Sequence, residues 1–335
     1  MATLPRRSFT DEDPAEVMKA NGGALDMPLI VSFAGYSFSG KTRSALLFGH
    51  GVSKVVGGPV FAIDSERARM REHAGVVPFR RVQLDPPFTA GAYLQAIEYC
   101  ISKGARAIVI DNMSDEHNGQ GGILYQHEEF LEQKAGDDWS ARDRWSQAGW
   151  AKLKGIKSER ATMENTIWDM ADPSKAGIAF VMTYRADEKY KPKTRKEKLV
   201  DPTKEEDLKW SIESTTKLFG WSTLRYLLMP GCNGVPLELG KAANEAERRL
   251  MKVGDRFQNV LPKGKPISVE FGEHVARMCR PSSKSAPASS ATKLYEVTSP
   301  DGVTKSKELS DAEVANFKRR GFSVVEVPEE VSAAE

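Results

Sequence analysis

The segment Gly35-Tyr36-Ser37-Phe38-Ser39-Gly40-Lys41-Thr42 constrains the fold of this chain more than any other. It satisfies G-x-x-x-x-G-K-[ST] and lies between an apolar run, LIVSFA, and a helix-forming run, RSALLF. Glycines let the backbone curl until successive N–H groups point inward, and the helix that follows adds its positive N-terminal end. Such a cradle suits a phosphate chain. On this spacing Lys41 reaches the β- and γ-phosphates of ATP, and the Thr42 hydroxyl binds Mg²⁺. Arg43, which opens the helical run, extends the nucleotide-facing set.

The rest of the chain alternates in the same way from Pro28 onward, with short β-rich runs between longer helical stretches, the pattern of a parallel sheet covered on both faces. Strands are predicted at 29–34, 60–64, 81–84, 107–111 and 178–183, several of them near-continuous apolar runs of the kind buried on both sides. Helices are predicted at 41–48, 90–102, 124–134 and about 143–170. In the last of these Trp145, Leu153, Ile156, Met163, Ile167 and Met170 form one apolar stripe. The spacing makes Trp145 and Trp168 core candidates.

The stretch PSSKSAPASS, from Pro281 to Ser290, is made of small, polar and proline residues and reads as a linker. The expected organisation is an N-terminal tail over 1–27, an α/β domain over 28–280, a linker over 281–292 and a small ββαβ module over 293–330. In that module the turn Asp301-Gly302 joins two strands, Ser310 and Glu313 are spaced as a capping box, and Gly321 ends the helix.

Two carboxylates follow the cradle at positions where its chemistry has use for them. The strand AIVID ends in Asp111, and an aspartate at such a place helps hold Mg²⁺ through its water shell. The strand FAID leads to Glu66, and hydrolysis needs a group beside the γ-phosphate that orients water and accepts its proton. The competing reading of Glu66 is a surface acid in a charged turn, since Arg67, Arg69, Arg71 and Glu72 follow.

The trio GYSFSGKT, FAIDSE and AIVIDN, in this order, resembles the RecA-type ATPase core. More narrowly, it resembles the bacteriophage-encoded AAA/RecA-like nucleotide-binding proteins that assist single-strand annealing and recombination. The resemblance covers about residues 28–240. It implies Glu66 as the hydrolytic glutamate, Asp111 as the metal-associated aspartate, and Thr183 or Arg185, in the strand GIAFVMTYR, as the group beside the γ-phosphate. The glutamine usual at that place is absent. The resemblance also implies a homo-oligomer whose sites are completed across subunits, and a DNA-facing loop after this strand.

That loop carries Lys189, Tyr190, Lys191, Lys193, Arg195, Lys196 and Lys198, basic side chains with an interleaved tyrosine that suit contact with single-stranded DNA. Against this, Asp201 to Asp207 carries four acids and one lysine, so the excursion is nearly neutral and also fits a solvated hairpin. The whole-chain charge of +2, from 48 basic and 46 acidic side chains, does not decide the matter. Two other functions stay open: a P-loop kinase in which the basic segment closes as a lid, and a nucleotide-switched scaffold whose C-terminal module recruits a protein partner.

Cys100, Cys232 and Cys279 have neither C-x-x-C spacing nor a histidine at ligand distance in sequence, and read as reduced thiols. His117 and His127 likewise lack metal spacing. No apolar run approaches the roughly 18 residues of a membrane span, and the first residues lack the apolar stretch of a signal peptide. The expectation is a cytoplasmic protein.

Overall fold

The structure, a computed structural model, describes residues 25–67, 69–152, 154–190, 208–214, 216–242, 245–254, 256–257, 262–280, 293–298, 304–309 and 323–326. The chain divides into two compact units, Met1–Pro281 and Ser282–Glu335.

The first unit opens with β1 (Ile30–Gly35), α1 (Lys41–Val56), β2 (Val60–Asp64), a 3-10 turn (Arg69–His73), β3 (Arg80–Gln83), α2 (Ala90–Ser102) and β4 (Ala107–Asp111). Four helices follow, α3 (Ser114–Asn118), α4 (Ile123–Ala135), α5 (Trp139–Lys152) and α6 (Lys154–Ala171). The chain then runs through β5 (Ala179–Tyr190), β6 (Leu208–Ile212), α7 (Thr216–Trp221), β7 (Leu224–Leu228), α8 (Glu245–Leu250), β8 (Lys252–Val253) and α9 (Val269–Met278). The strands order as β3-β2-β4-β5-β1-β7-β8, all neighbours parallel except β8, which runs antiparallel to β7. β5 therefore lies between the loop-bearing strand β1 and the carboxylate-bearing strand β4. This is an α/β core built on a mainly parallel sheet, the fold class expected from the sequence.

Alternation along the strands sends successive side chains to opposite faces. Ile30, Ile108, Ile110, Phe180 and Met182 pack with Tyr93 and Ile97 of α2 and Met163 and Ile167 of α6. Val31, Phe33, Val109, Val181 and Leu228 pack on the other side with Leu46, Phe48 and Val52 of α1 and Phe271 and Val275 of α9. Each such side chain, fully buried, contributes about 1.5–3 kcal/mol. With both faces covered, the central strands have little polar character, which is why they are readable from sequence as apolar runs.

Helices α1 and α9 touch through glycines. A Cβ placed on Gly272 would lie 2.3 Å from the Phe48 carbonyl oxygen, and one on Gly51 would lie 2.1 Å from the Val269 carbonyl oxygen. Both obstacles are backbone, so the helices would have to part. Gly272→Ala is therefore expected to destabilise the domain: overpacking costs about 1–3 kcal/mol, against at most about 1 kcal/mol gained in helix propensity. Thermal unfolding followed by circular dichroism is the check; an unchanged midpoint would mean that the two helices separate freely.

Several elements differ from the sequence expectation. Strand β5 continues to Tyr190 instead of stopping near Thr183, because its outer part, Ala186 to Tyr190, is paired antiparallel with Leu208 to Ile212 of β6. Cross-strand hydrogen bonds sustain it where the sequence, DEKY, is no longer apolar. β6, β7 and β8 were not among the expected strands. The single helix expected at 143–170 is two helices on either side of residue 153, which lies outside the described residues together with the side chain of Ile156. Trp145 and Trp168 are not core residues: they are 41% and 40% exposed. The apolar face of α6 is carried by Met163, Ile167 and Ala171, four apart, which leaves Trp168 at its edge, tilted against Trp221.

In the second unit β9 (Lys293–Thr298) is the middle strand, antiparallel to both β10 (Thr304–Leu309) and β11 (Ser323–Glu326). The expected helix between Ser310 and Gly321 lies outside the described residues, as do the expected linker and residues 1–24 of the expected tail. Leu25 is buried in the first unit, and Asp26 pairs with Arg256 at 2.8 Å.

Candidate nucleotide site

The loop between β1 and α1 is shaped by contacts that only small residues allow. Gly40 precedes α1 at φ 90°, in the left-handed region, and a Cβ there would lie 2.8 Å from the Gly234 nitrogen. A Cβ on Gly35 would lie 2.2 Å from the Leu228 carbonyl oxygen. The turn after β7 thus backs the loop, and the Ser39 carbonyl accepts from Gly234 N–H at 3.0 Å and from the Cys232 thiol at 3.3 Å. Inside the loop, Ser39 Oγ donates to the Tyr36 carbonyl at 2.9 Å. Lys41, the first residue of α1, folds its ammonium back onto the loop, donating to the carbonyls of Gly35, at 2.9 Å, and Tyr36. Tyr36 is half-buried, while Ser37 and Phe38 are exposed, Phe38 at φ 62° with the Arg69 guanidinium over its ring.

At the end of β4, Asp111 is buried and accepts from Thr42 Oγ1 at 2.6 Å and from the Thr183 hydroxyl. Its pKa is pushed up to about 6, first by burial and then by nearby Glu66, against the two hydroxyl hydrogen bonds and Lys41. Thr183 and Asp111 meet because β5 lies beside β4 in the sheet.

Asp64 closes β2 and accepts the Glu66 N–H at 2.9 Å and Arg81 Nε at 2.5 Å, which fixes the turn that carries Glu66. Glu66 Oε1 accepts from Asn112 Nδ2 at 2.8 Å and from Arg185 at 3.3 Å. Its Oε2 keeps, among the described residues, an ion pair with Arg69 at 3.8 Å. Arg185 also donates to Asp115 Oδ1 at 2.9 Å, and Ser65 Oγ donates to the other oxygen of Asp115 at 2.6 Å. Burial works against the Arg185 charge, but Asp115 and Glu66 outweigh it and hold its pKa above the ordinary value.

One cleft thus brings together Ser37, Phe38, Gly40, Lys41, Thr42, Arg43, Glu66, Asp111 and Arg185. Thr183 stands behind Asp111, and Gly35, Tyr36 and Ser39 form the loop's framework. The backbones of Lys189 and Tyr190 pair with Lys209 and Leu208 in the β5–β6 ribbon; their side chains lie outside the described residues. Lys191, Lys193, Arg195, Lys196 and Lys198 lie outside the described residues. The sequence reading did not assign Asn112, Asp115 or Ser65, which hold Glu66 and Arg185, nor Arg69, Glu72 and His73, which also line the cleft. Asn112 directly follows Asp111, and that adjacency was the one signal available.

Fold and loop together define an α/β protein with a mainly parallel sheet and a P-loop between β1 and α1. No family model and no curated protein matches the sequence. Among solved structures it is similar to the KaiC-like protein PH0186 from the hyperthermophilic archaea Pyrococcus horikoshii OT3. The two are 12% identical over 57% of this chain and 81% of that one, with a TM-score of 0.29. So distant a likeness carries no argument about this chain. Among the described residues no helix is long and apolar enough to cross a membrane.

Proposed function

We propose that this chain binds ATP with Mg²⁺ in the cleft and hydrolyses it. The observation that carries the reading is the meeting of Thr42, Asp111 and Glu66 at one end of the loop, although they come from three separate elements. Among the described residues there is no group of three or more His, Cys, Asp or Glu side chains that would cage a metal. A hydroxyl beside a carboxylate, both hard oxygen donors, suits Mg²⁺ shared with a phosphate chain and water. Thr42 would hold the ion directly and Asp111 through water, and the ion, when bound, neutralises charge on the phosphate oxygens. Lys41 would exchange its loop carbonyls for phosphate oxygens. Glu66 would orient the attacking water. As the water oxygen bonds to the γ-phosphorus, the bond to the bridging oxygen breaks, and the water proton passes to Glu66. Arg185, which contacts Glu66, would meet the γ-phosphate.

We further propose that hydrolysis serves work on single-stranded DNA, in recombination, annealing or replication of the bacteriophage type that the sequence resembles. Support comes from the residues of the 189–198 segment and from Arg185, which lies four residues before it on β5. A homo-oligomer, and a protein partner for the C-terminal unit, belong to the same reading. Phosphate release measured with and without single-stranded DNA tests it. Stimulation by DNA is the expected result; release that ignores DNA would remove the nucleic-acid role, and ATP-dependent labelling of an acceptor in place of release would favour a kinase.

A further inference from the structure

Across the Arg185–Glu66 contact lies a second cavity of about 460 Å³. Ser37, Glu66, Arg69 and Arg185 line both it and the nucleotide cleft, whereas Arg67, Gln120 and Phe88 line the second cavity alone. We propose that this cavity is a binding site for inorganic phosphate, which holds the cleaved γ-phosphate after hydrolysis while ADP still occupies the loop. The proposal rests on the hydrolytic reading above.

Three observations support it. The space accommodates a tetrahedral oxyanion with its water, since a single water occupies about 30 Å³. The charge balance favours an anion as well. Two carboxylates, Glu66 and Asp115, face three guanidinium groups, and both carboxylates are already engaged: Glu66 by Asn112 and Arg185, Asp115 by Arg185 and Ser65. Arg67, by contrast, is exposed and has no ion pair or hydrogen bond among the described residues. A guanidinium fork with its donors uncommitted matches two phosphate oxygens, and the Gln120 amide adds a neutral donor. The third observation concerns the route. With the nucleotide in the loop, a phosphate cleaved beside Glu66 has the nucleotide on one side and this cavity on the other. Arg69 and Arg185, which belong to both linings, can stay in contact with the ion as it crosses.

The test is a calorimetric titration of inorganic phosphate into the full-length protein saturated with ADP–Mg²⁺, for wild type and for Arg67→Gln. Arg67 is exposed and sits at φ 50°, a backbone conformation no more strained for glutamine than for arginine, so the variant should fold. Wild type is expected to bind phosphate with ADP in place. The variant should bind it at least about 10-fold more weakly, the effect of losing one charge-assisted hydrogen-bond pair, with ADP affinity unchanged. Phosphate binding that ADP abolishes would place the anion in the loop itself and overturn the proposal. Equal phosphate affinity in the two proteins would overturn it too. If ADP fails to bind wild type, the nucleotide reading falls first and this one with it.

Discussion

Glu66→Gln is expected to bind ATP–Mg²⁺ within about threefold of wild type and to hydrolyse it at least about 100-fold more slowly, since positioned general-base assistance is typically worth 10² to 10⁴ in rate. The amide is nearly isosteric with the carboxylate. Its carbonyl oxygen can still accept from Asn112 Nδ2 and Arg185, the contacts that now hold Glu66 Oε1 at 2.8 and 3.3 Å. What disappears is the oxygen able to take a proton, so the loss should fall on kcat, with KM little changed. Losing the negative charge also removes one influence that raises the Asp111 pKa. Single-turnover phosphate release at saturating ATP, with calorimetry for affinity, separates the two quantities. Normal turnover would return Glu66 to the standing of a surface acid held by Arg185, and the hydrolytic reading would lose its base.

Lys41→Ala is expected to weaken ATP binding on the order of 100-fold with the fold intact, since a hydrogen bond to a charged group contributes about 1.5–3 kcal/mol and the γ- and β-phosphates share this ammonium. Two features of the structure sharpen the expectation. Lys41 is the first residue of α1, where alanine is a good helix former, so the helix should not suffer. In the free loop its ammonium is committed to the Gly35 and Tyr36 carbonyls, so alanine also removes an internal tie, and loop order should fall while global stability holds. AMP, which lacks both outer phosphates, should bind wild type and variant alike. A folded variant with unchanged ATP affinity would take the nucleotide out of the cleft altogether.

The chemistry that depends on neighbouring residues was legible in the sequence. The loop Gly35 to Thr42 declares itself because its glycines, lysine and threonine stand within eight consecutive positions, between an apolar run that forms a strand buried on both faces and a run with helical periodicity. β2, β4 and α2 were bounded correctly for a related reason: strands buried on both faces are apolar throughout, and α2 begins at a capping threonine, Thr89, whose hydroxyl accepts from the Ala92 N–H. Asp111 and Glu66 could be named from where they stand at strand ends. Their partners could not. Asp111 meets Thr42 across 69 residues and Thr183 across 72, and Glu66 meets Arg185 across 119, because the strand order puts β5 between β4 and β1.

Only the tertiary structure decided matters that depend on which surfaces face one another. The outer part of β5 survives through pairing with β6, not through any apolar pattern of its own. Trp145 and Trp168 look like core residues by their helical spacing, yet both stand near the surface: the face of α6 that packs carries Met163, Ile167 and Ala171, and Trp145 lies on α5, where its ring meets Phe130. The second cavity exists because Arg67, in the turn after β2, and Gln120, between α3 and α4, are brought to one side of the Arg185–Glu66 contact. A sequence specifies local chemistry through spacing along the chain. Burial, hydrogen-bond partners and cavities are set by distance in space, and for this protein that distance was fixed when the strands took their order.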